Sequence, residues 1–87
     1  MKTKDEVKES LAIGDDYDLK EKVVSYGTFE NMFGKGFIFI VRMVVVSEEV
    51  KEYLKRMTGC KYAVVNKIHS TQSKITLSDK RIPKLSE

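Results

Sequence analysis

The segment FGKGFIFIVRM, residues 33–43, decides the fold because it contains the start of the longest apolar run in the chain. That run continues to Val46, is rich in β-branched and aromatic residues, and is broken only by Arg42. Such residues favour a strand, and an apolar residue at nearly every position is typical of a strand buried on both faces. The sequence therefore predicts a central strand over residues 37–46.

Two helices are predicted from their capping residues. Thr3 and Glu6 have the spacing of a capping box, which predicts a short helix over residues 4–13. Ser47 is a favourable N-cap for a second helix over residues 48–57, which Gly59 ends. Apolar residues recur in this second helix at helical spacing, so we expect one face to lie on the sheet: Val50, Tyr53, Leu54 and Met57.

Three further strands follow from the remaining patterns. Residues 17–26 alternate apolar and charged positions, and a wide connection over residues 27–36 leads from them to the central strand. Residues 61–69 and 74–81 are predicted to form a hairpin around the polar turn 70–73, with His69 opposite Lys74. This register places polar and basic side chains on one face: Lys67, His69, Lys74, Thr76, Ser78 and Lys80.

The predicted fold is α+β, with a small antiparallel sheet of about four strands, one packed helix (residues 48–57) and a short N-terminal helix. The 87 residues are expected to form one domain, residues 1–87, with a frayed tail over residues 82–87. The expected core consists of Ile38, Ile40, Val44, Val50, Leu54, Val64, Ile68, Ile75 and Leu77.

Composition favours a soluble, cytoplasmic protein. Hydrophobic residues make up 41% of the chain and charged residues 33%, as in ordinary globular domains. No apolar run approaches the ~20 residues of a membrane span, and the first ten residues carry acids where a signal peptide would be apolar. Cys60 is the only cysteine, so an internal disulfide is excluded and a reducing compartment is expected.

Patterns for catalysis, cofactors and metals are weak. His69 is the only histidine, and the sequence offers no oriented third group beside it. Gly34-Lys35 lacks the other residues of a phosphate-binding loop. Asp15, Asp16 and Asp18 lack the glycine and distal glutamate of a calcium loop. We therefore predict no enzyme activity, cofactor or metal, with a small basic ribonuclease as the alternative.

Charge is segregated along the chain, whose net charge is +3. Residues 1–34 contain five basic and eight acidic residues, whereas residues 35–87 contain eleven basic and five acidic residues. Clustered lysines and arginines bind backbone phosphates, so the sequence predicts a nucleic-acid-binding protein. RNA is favoured because the contacts would come from a sheet surface and no recognition helix is evident. The predicted contact residues are Lys61, Lys67, His69, Lys74, Lys80 and Arg81.

The segment KGFIFIVR, residues 35–42, is similar to the longer consensus motif of RNA-recognition-motif domains. Lys35 stands at the basic position and Phe37 and Phe39 at two base-stacking positions, while Ile38 and Arg42 depart from the consensus. The resemblance implies that RNA bases stack on these rings. That family has a strand before its first helix, which the predicted element order lacks. We therefore predict an unrelated α+β domain with both rings mainly in its core, and their display to bases as the alternative.

A second class of function is open beside nucleic-acid binding. A chain of this size also fits a small inhibitor or adaptor, of the kind that phages and mobile elements encode, that binds a host protein or an RNA-containing complex such as a toxin ribonuclease. The apolar residues of the 27–36 connection are predicted either to cover the core or to contact a partner: Phe29, Met32 and Phe33. With the open sheet edges and the segregated charge, they also predict a homo-oligomer.

Overall fold

The computed structural model describes residues 2–13, 17–32 and 34–80. It confirms the predicted α+β class, with a four-stranded antiparallel sheet, a helix packed against it and a short N-terminal helix. In chain order the elements are α1 (Lys4–Ile13), α2 (Leu19–Lys22), β1 (Val23–Asn31), β2 (Gly34–Val41), α3 (Glu48–Thr58), β3 (Tyr62–Lys67) and β4 (Ser73–Ser78). Within the described residues, no helix has the length and apolar character that crossing a bilayer requires.

The strand order is β1-β2-β4-β3, so β1 and β3 are the edges of the sheet. Every neighbouring pair is antiparallel. Strand β2 is central, as its apolar composition predicts, because it pairs with β1 on one side and β4 on the other. The helices contribute Val7, Leu19 and Leu54 to the core beneath one face of the sheet, here called the inner face.

The predicted full burial of Ile38 and Ile40 in β2 is wrong. Phe37, Phe39 and Val41 are completely buried, whereas Ile38 and Ile40 on the opposite face are only half-buried. The reason is that the described helices cover only the inner face, and side chains alternate between faces along a strand. Val64, which was also predicted to be buried, is half-buried on the uncovered outer face, opposite Thr76 of β4.

Two predicted strand ranges also need correction. In place of a strand over residues 17–26, the chain forms the helix α2, and β1 begins only at Val23. Asp18, which precedes α2, has the left-handed conformation (φ 57°), and Leu19 at the start of the helix is completely buried. Strand β2 ends at Val41 and not at residue 46, because the partner strands end there: Val41 pairs with both Val23 and Ser73. Val44 therefore leaves the sheet and is 49% exposed.

The connection between β1 and β2 is shorter than predicted. Strand β1 continues to Asn31, which pairs with Gly34, so Phe29 lies within a strand opposite Gly36. Met32 is exposed in the turn, and Phe33 lies outside the described residues.

The β3–β4 hairpin forms, but its register differs from the predicted one. Lys67 pairs with Ser73, and residues 68–72 form the turn, in which the amides of Ile68 and His69 both donate to the Gln72 carbonyl at 3.2 Å. Ile68 is consequently 45% exposed, contrary to the prediction that it is buried. The observed register instead directs Ile75 to the inner face, where it is completely buried.

The helix-capping predictions are confirmed. The Glu6 amide donates to Thr3 Oγ1 at 3.2 Å, and the Thr3 amide donates to Glu6 Oε1 at 3.1 Å. The hydrogen bond from the Thr3 amide to the Glu6 carboxylate is the main cause that lowers the pKa of Glu6. The Val50 amide donates to Ser47 Oγ at 3.2 Å, and Gly59 ends α3 in the left-handed conformation. Local sequence signals therefore define where α1 and α3 begin.

Candidate nucleic-acid interface and neighbouring cleft

The structure divides the predicted nucleic-acid-binding residues between two ends of the sheet. Lys67, His69 and Lys74 lie at the β3–β4 turn, whereas Lys61 and Lys80 flank the opposite end of the same hairpin. The strands between the two groups are six residues long, which corresponds to about 20 Å at the usual rise per residue. Arg81 lies outside the described residues.

Lys67 and Lys74 do not share a face, contrary to the predicted register. Lys74 lies on the outer face, beside Ile40 of β2. Lys67 pairs with Ser73, so it belongs to the inner face. Both are nevertheless close to one sheet end, because Ser73 and Lys74 are consecutive. Of the other predicted outer-face residues, Thr76 is half-buried and Ser78 is buried opposite Gly36.

Two further cations lie at the turn end of the sheet. Arg42 immediately follows β2, and its amide donates to the Lys22 carbonyl at 2.8 Å, just before β1 begins. We call this group the basic sheet end: Lys22, Arg42, Lys67, His69 and Lys74. These residues come from the ends of all four strands, so they span about 14 Å at the usual inter-strand spacing.

The segments that carry the cations of the basic sheet end contain few acidic residues. Glu21 lies next to Lys22 in α2 and partly offsets its charge, and Asp18 precedes that helix. The segments around Arg42, Lys67 and Lys74 contribute no acid: residues 40–47 and 64–76 contain neither aspartate nor glutamate. In the described part of the chain, the ion pairs Lys51–Glu48 and Lys55–Glu52 both lie within α3.

The opposite sheet end is closer to electrical balance. The Lys35 amide donates to Asp79 Oδ1 at 3.0 Å, and the Asp79 amide donates to the Lys35 carbonyl at 3.1 Å. The hydrogen bond from the Lys35 amide is the main cause that lowers the pKa of Asp79, so this carboxylate is negative at neutral pH. Glu30 and Asp79 line a small depression together with Lys35 and Lys80. This end is therefore poorer in net positive charge than the basic sheet end.

Phe37 and Phe39 are not available to stack on bases. Both rings are completely buried, 6.3 Å apart between centroids, and Phe39 stacks on Tyr26 with a centroid distance of 5.6 Å. The prediction that they belong to the core is confirmed. The outer face of the two central strands instead carries Ile38, Ile40 and smaller or polar residues. The resemblance to the RNA-recognition motif therefore does not extend to the position of its aromatic side chains.

Sequence reasoning missed a cleft of about 500 Å³ between α1, α2 and β1. Lys4, Lys8 and Leu11 of α1 and Lys20 of α2 line one side, and residues 23–26 of β1 line the other. No acid lies among the lining residues in the described part of the chain. The spacing i, i+4, i+7 of the three α1 residues is the sequence signal that places them on one helix face. This helix face is difficult to recognise as basic in the sequence, because residues 1–34 carry a net negative charge.

The described residues include the nucleophilic and metal-binding candidates Cys60, His69 and Asp18. Cys60 is 5% exposed, and burial raises the pKa of its thiol, so the thiol is protonated at neutral pH. His69 is exposed in the β3–β4 turn. No group of three or more potential metal-binding side chains occurs among the described residues. Asp15 and Asp16 lie outside the part of the chain that the structure describes.

Comparisons with protein-family models, with curated proteins and with solved structures found no match.

Proposed function

We propose that this chain is a small, non-enzymatic nucleic-acid-binding protein that binds the phosphate backbone of RNA at the basic sheet end. The observation that supports the proposal is the convergence of Lys22, Arg42, Lys67 and Lys74 from four strand ends. The four strand ends that carry these cations span about 14 Å, which corresponds to a short length of polyanionic backbone. The sequence-based contact set is thereby revised: Lys61 and Lys80 are not expected to contact the same phosphates.

RNA is preferred over duplex DNA because of the charge on α3. A recognition helix inserted into the major groove must lie close to two phosphate backbones. The exposed surface near the start of α3 instead carries Glu48, Glu49 and Glu52, which line a depression with Arg56. Glu48 and Glu52 are paired with Lys51 and Lys55 of the same helix, so α3 offers phosphates no net positive charge and the contacts are assigned to the sheet end. A flexible single strand can follow that end, and we place the binding reaction in the cytoplasm.

The experiment is a salt titration of binding to a fluorescein-labelled single-stranded RNA, followed by anisotropy. Three or four neutralised phosphates on a single strand give a slope of about −2 to −3 in a plot of log affinity against log salt concentration. Single-stranded DNA and duplex DNA of the same sequence serve as comparison ligands. The proposal predicts the steep slope and weaker binding to duplex DNA. Absence of RNA binding at low salt would contradict it and favour the inhibitor or adaptor function.

A further inference from the structure

The cleft lies beside the start of β1, which pairs with β2 alone among the described residues. Four consecutive residues of that strand, residues 23–26, line it. Because side chains alternate between the two faces of a sheet, a cleft on a single face would be lined by every second residue only. The irregularity of β1 between Val23 and Ser25 interrupts this alternation, so Val24 and Ser25 both reach the cleft together with Tyr26. Val24, which is 44% exposed, and Ser25, which is also exposed, leave this edge accessible.

The edge offers backbone groups for a further strand. Within residues 2–13, 17–32 and 34–80, strand β1 has a neighbour on one side only, so on its other side alternate amides and carbonyls face away from the described sheet. An irregularity lies between Val23 and Ser25, and from Ser25 to Asn31 the pairing with β2 is regular. This regular stretch contains no lysine and no proline, the residues that commonly block pairing at an edge.

The charges along the edge are polarised. Lys4, Lys8 and Lys20 surround the cleft at the start of β1, and Glu30 lies near the other end of the strand. Lys4 and Lys8 are also an i, i+4 pair of like charges, which destabilises a helix slightly unless an anion lies between them. The cleft therefore fits a ligand that carries negative charge at one end.

An RNA base is a poorer occupant of the cleft than a peptide. Tyr26 is the aromatic residue that lines it, but one face of its ring stacks on Phe39 and Lys4 Nζ lies 6.0 Å from the ring centroid. The ring is therefore already engaged and offers little stacking surface. The remaining surface consists of apolar side chains, lysines and strand backbone, which are the groups that bind an extended peptide.

We propose that β1 binds an extended acidic peptide segment of a partner protein, which pairs with the β1 edge and places its carboxylates among Lys4, Lys8 and Lys20. The backbone hydrogen bonds supply affinity, and the three lysines select the acidic end and fix its direction. The apolar part of the segment lies along residues 27–31, beyond the part of β1 that lines the cleft with the lysines. The cleft adjoins the basic sheet end, because Lys22 lies between Lys20 and Val23 in the chain, but its three lysines are not members of that group and the proposal does not depend on nucleic-acid binding.

The test uses a short fluorescein-labelled peptide that begins with glutamates and continues as alternating valine and threonine. Binding is followed by anisotropy, and amide chemical shifts identify the contacted residues. We expect the largest shifts within residues 23–31 of β1 and in α1. We also expect an affinity loss of about tenfold or more for the K4E/K8E variant, because two attractive charges become repulsive. The matched control, K61E/K80E, changes the same number of charges away from the cleft and should bind normally.

A second ligand keeps the proposal testable whether or not K4E/K8E folds. Peptides N-methylated at alternate backbone amides keep their charge and lose donors to the β1 edge, so at least one of the two methylation patterns must abolish strand pairing. If both methylated peptides bind the wild-type protein as well as the unmodified peptide does, the cleft is a simple anion site and strand addition is refuted. Undiminished binding to a folded K4E/K8E variant, or full competition by single-stranded RNA at the same site, would also overturn the proposal.

Discussion

The face assignment of β2 can be tested by comparing Phe39→Ala with Ile38→Ala. Phe39 is completely buried and contacts the rings of Tyr26 and Phe37. Its neighbour Ile38 is half-buried on the outer face. Removing a buried phenylalanine side chain typically reduces the free energy of unfolding by about 3–5 kcal/mol. The half-buried isoleucine contributes less, and we expect a loss of about 1–2 kcal/mol.

The assay is urea unfolding monitored by circular dichroism. With a urea dependence of about 1–2 kcal/mol per molar for a small domain, Phe39→Ala should lower the unfolding midpoint by roughly 2 M or more. Ile38→Ala should lower it by about 1 M. The free energy of unfolding of a domain is about 5–15 kcal/mol in total, so the Phe39 variant will be close to unfolded. Equal destabilisation by the two variants, or a larger effect of Ile38→Ala, would refute the assignment of the inner face.

Three further predictions concern acid stability, thiol reactivity and self-association. The pKa of Asp79 in the folded protein is lowered below its ordinary value of 3.8. The ionised carboxylate therefore stabilises the fold above pH 3.8, and this stabilisation is lost as the pH falls through the lower pKa of the folded state. Asp79→Asn should therefore lower the free energy of unfolding at pH 7. In urea unfolding, the difference between the variant and the wild-type protein should become smaller in acid, and a difference that stays constant with pH would argue against the Lys35 contact. Cys60 should react with a thiol reagent at neutral pH only as fast as the fold opens, so rapid reaction of the native protein would contradict its burial. The uncovered outer face, with Phe29, Ile38 and Ile40 half-buried on it, predicts self-association, and light scattering that gives the monomer mass throughout the micromolar range would count against it.

Short-range signals in the sequence predicted the helices well. The Thr3–Glu6 capping box, the Ser47 cap and Gly59 define α1 and α3 to within one residue, because each signal acts over one helical turn. The strands were predicted less accurately because their faces and ends depend on distant partners. Leu19 illustrates the difference: its pattern resembled alternation, but it enters the core from α2.

The outer and inner faces of β2 could not be distinguished from the sequence alone. Phe37 to Val41 is apolar at every position, so either face of that run could have been the covered one. The predicted register of the β3–β4 hairpin was wrong for a related reason. The sequence of residues 68–72 permits turns of different length, and only the packing of the buried Ile75 opposite Val65 selects one of them.

The candidate site was predicted in part. The turn-end cations Lys67, His69 and Lys74 were identified from the sequence, whereas Lys22 and Arg42 were not, because only the strand pairing places them beside that turn. Lys61 and Lys80 were grouped with them because alternation along a strand specifies the face of a residue and not its distance from the sheet end.

The most direct test of the proposed function compares two double variants on the same two strands. K67E/K74E reverses charge within the basic sheet end, and K61E/K80E makes the same change at the opposite end, about 20 Å away. That separation is about twice the screening length at 0.1 M salt, so the far pair should have little influence on phosphates at the turn end. Unfolding midpoints of both variants establish that each is folded.

Affinity for labelled single-stranded RNA is then measured as a function of salt concentration. We predict that K67E/K74E lowers affinity by about tenfold or more and reduces the magnitude of the salt slope by about 1 to 2, whereas K61E/K80E changes affinity by less than about threefold. Equal losses in the two folded variants would show that RNA binds without preference for either end of the sheet. Full RNA affinity of folded K67E/K74E at low salt would contradict the assignment of binding to the basic sheet end.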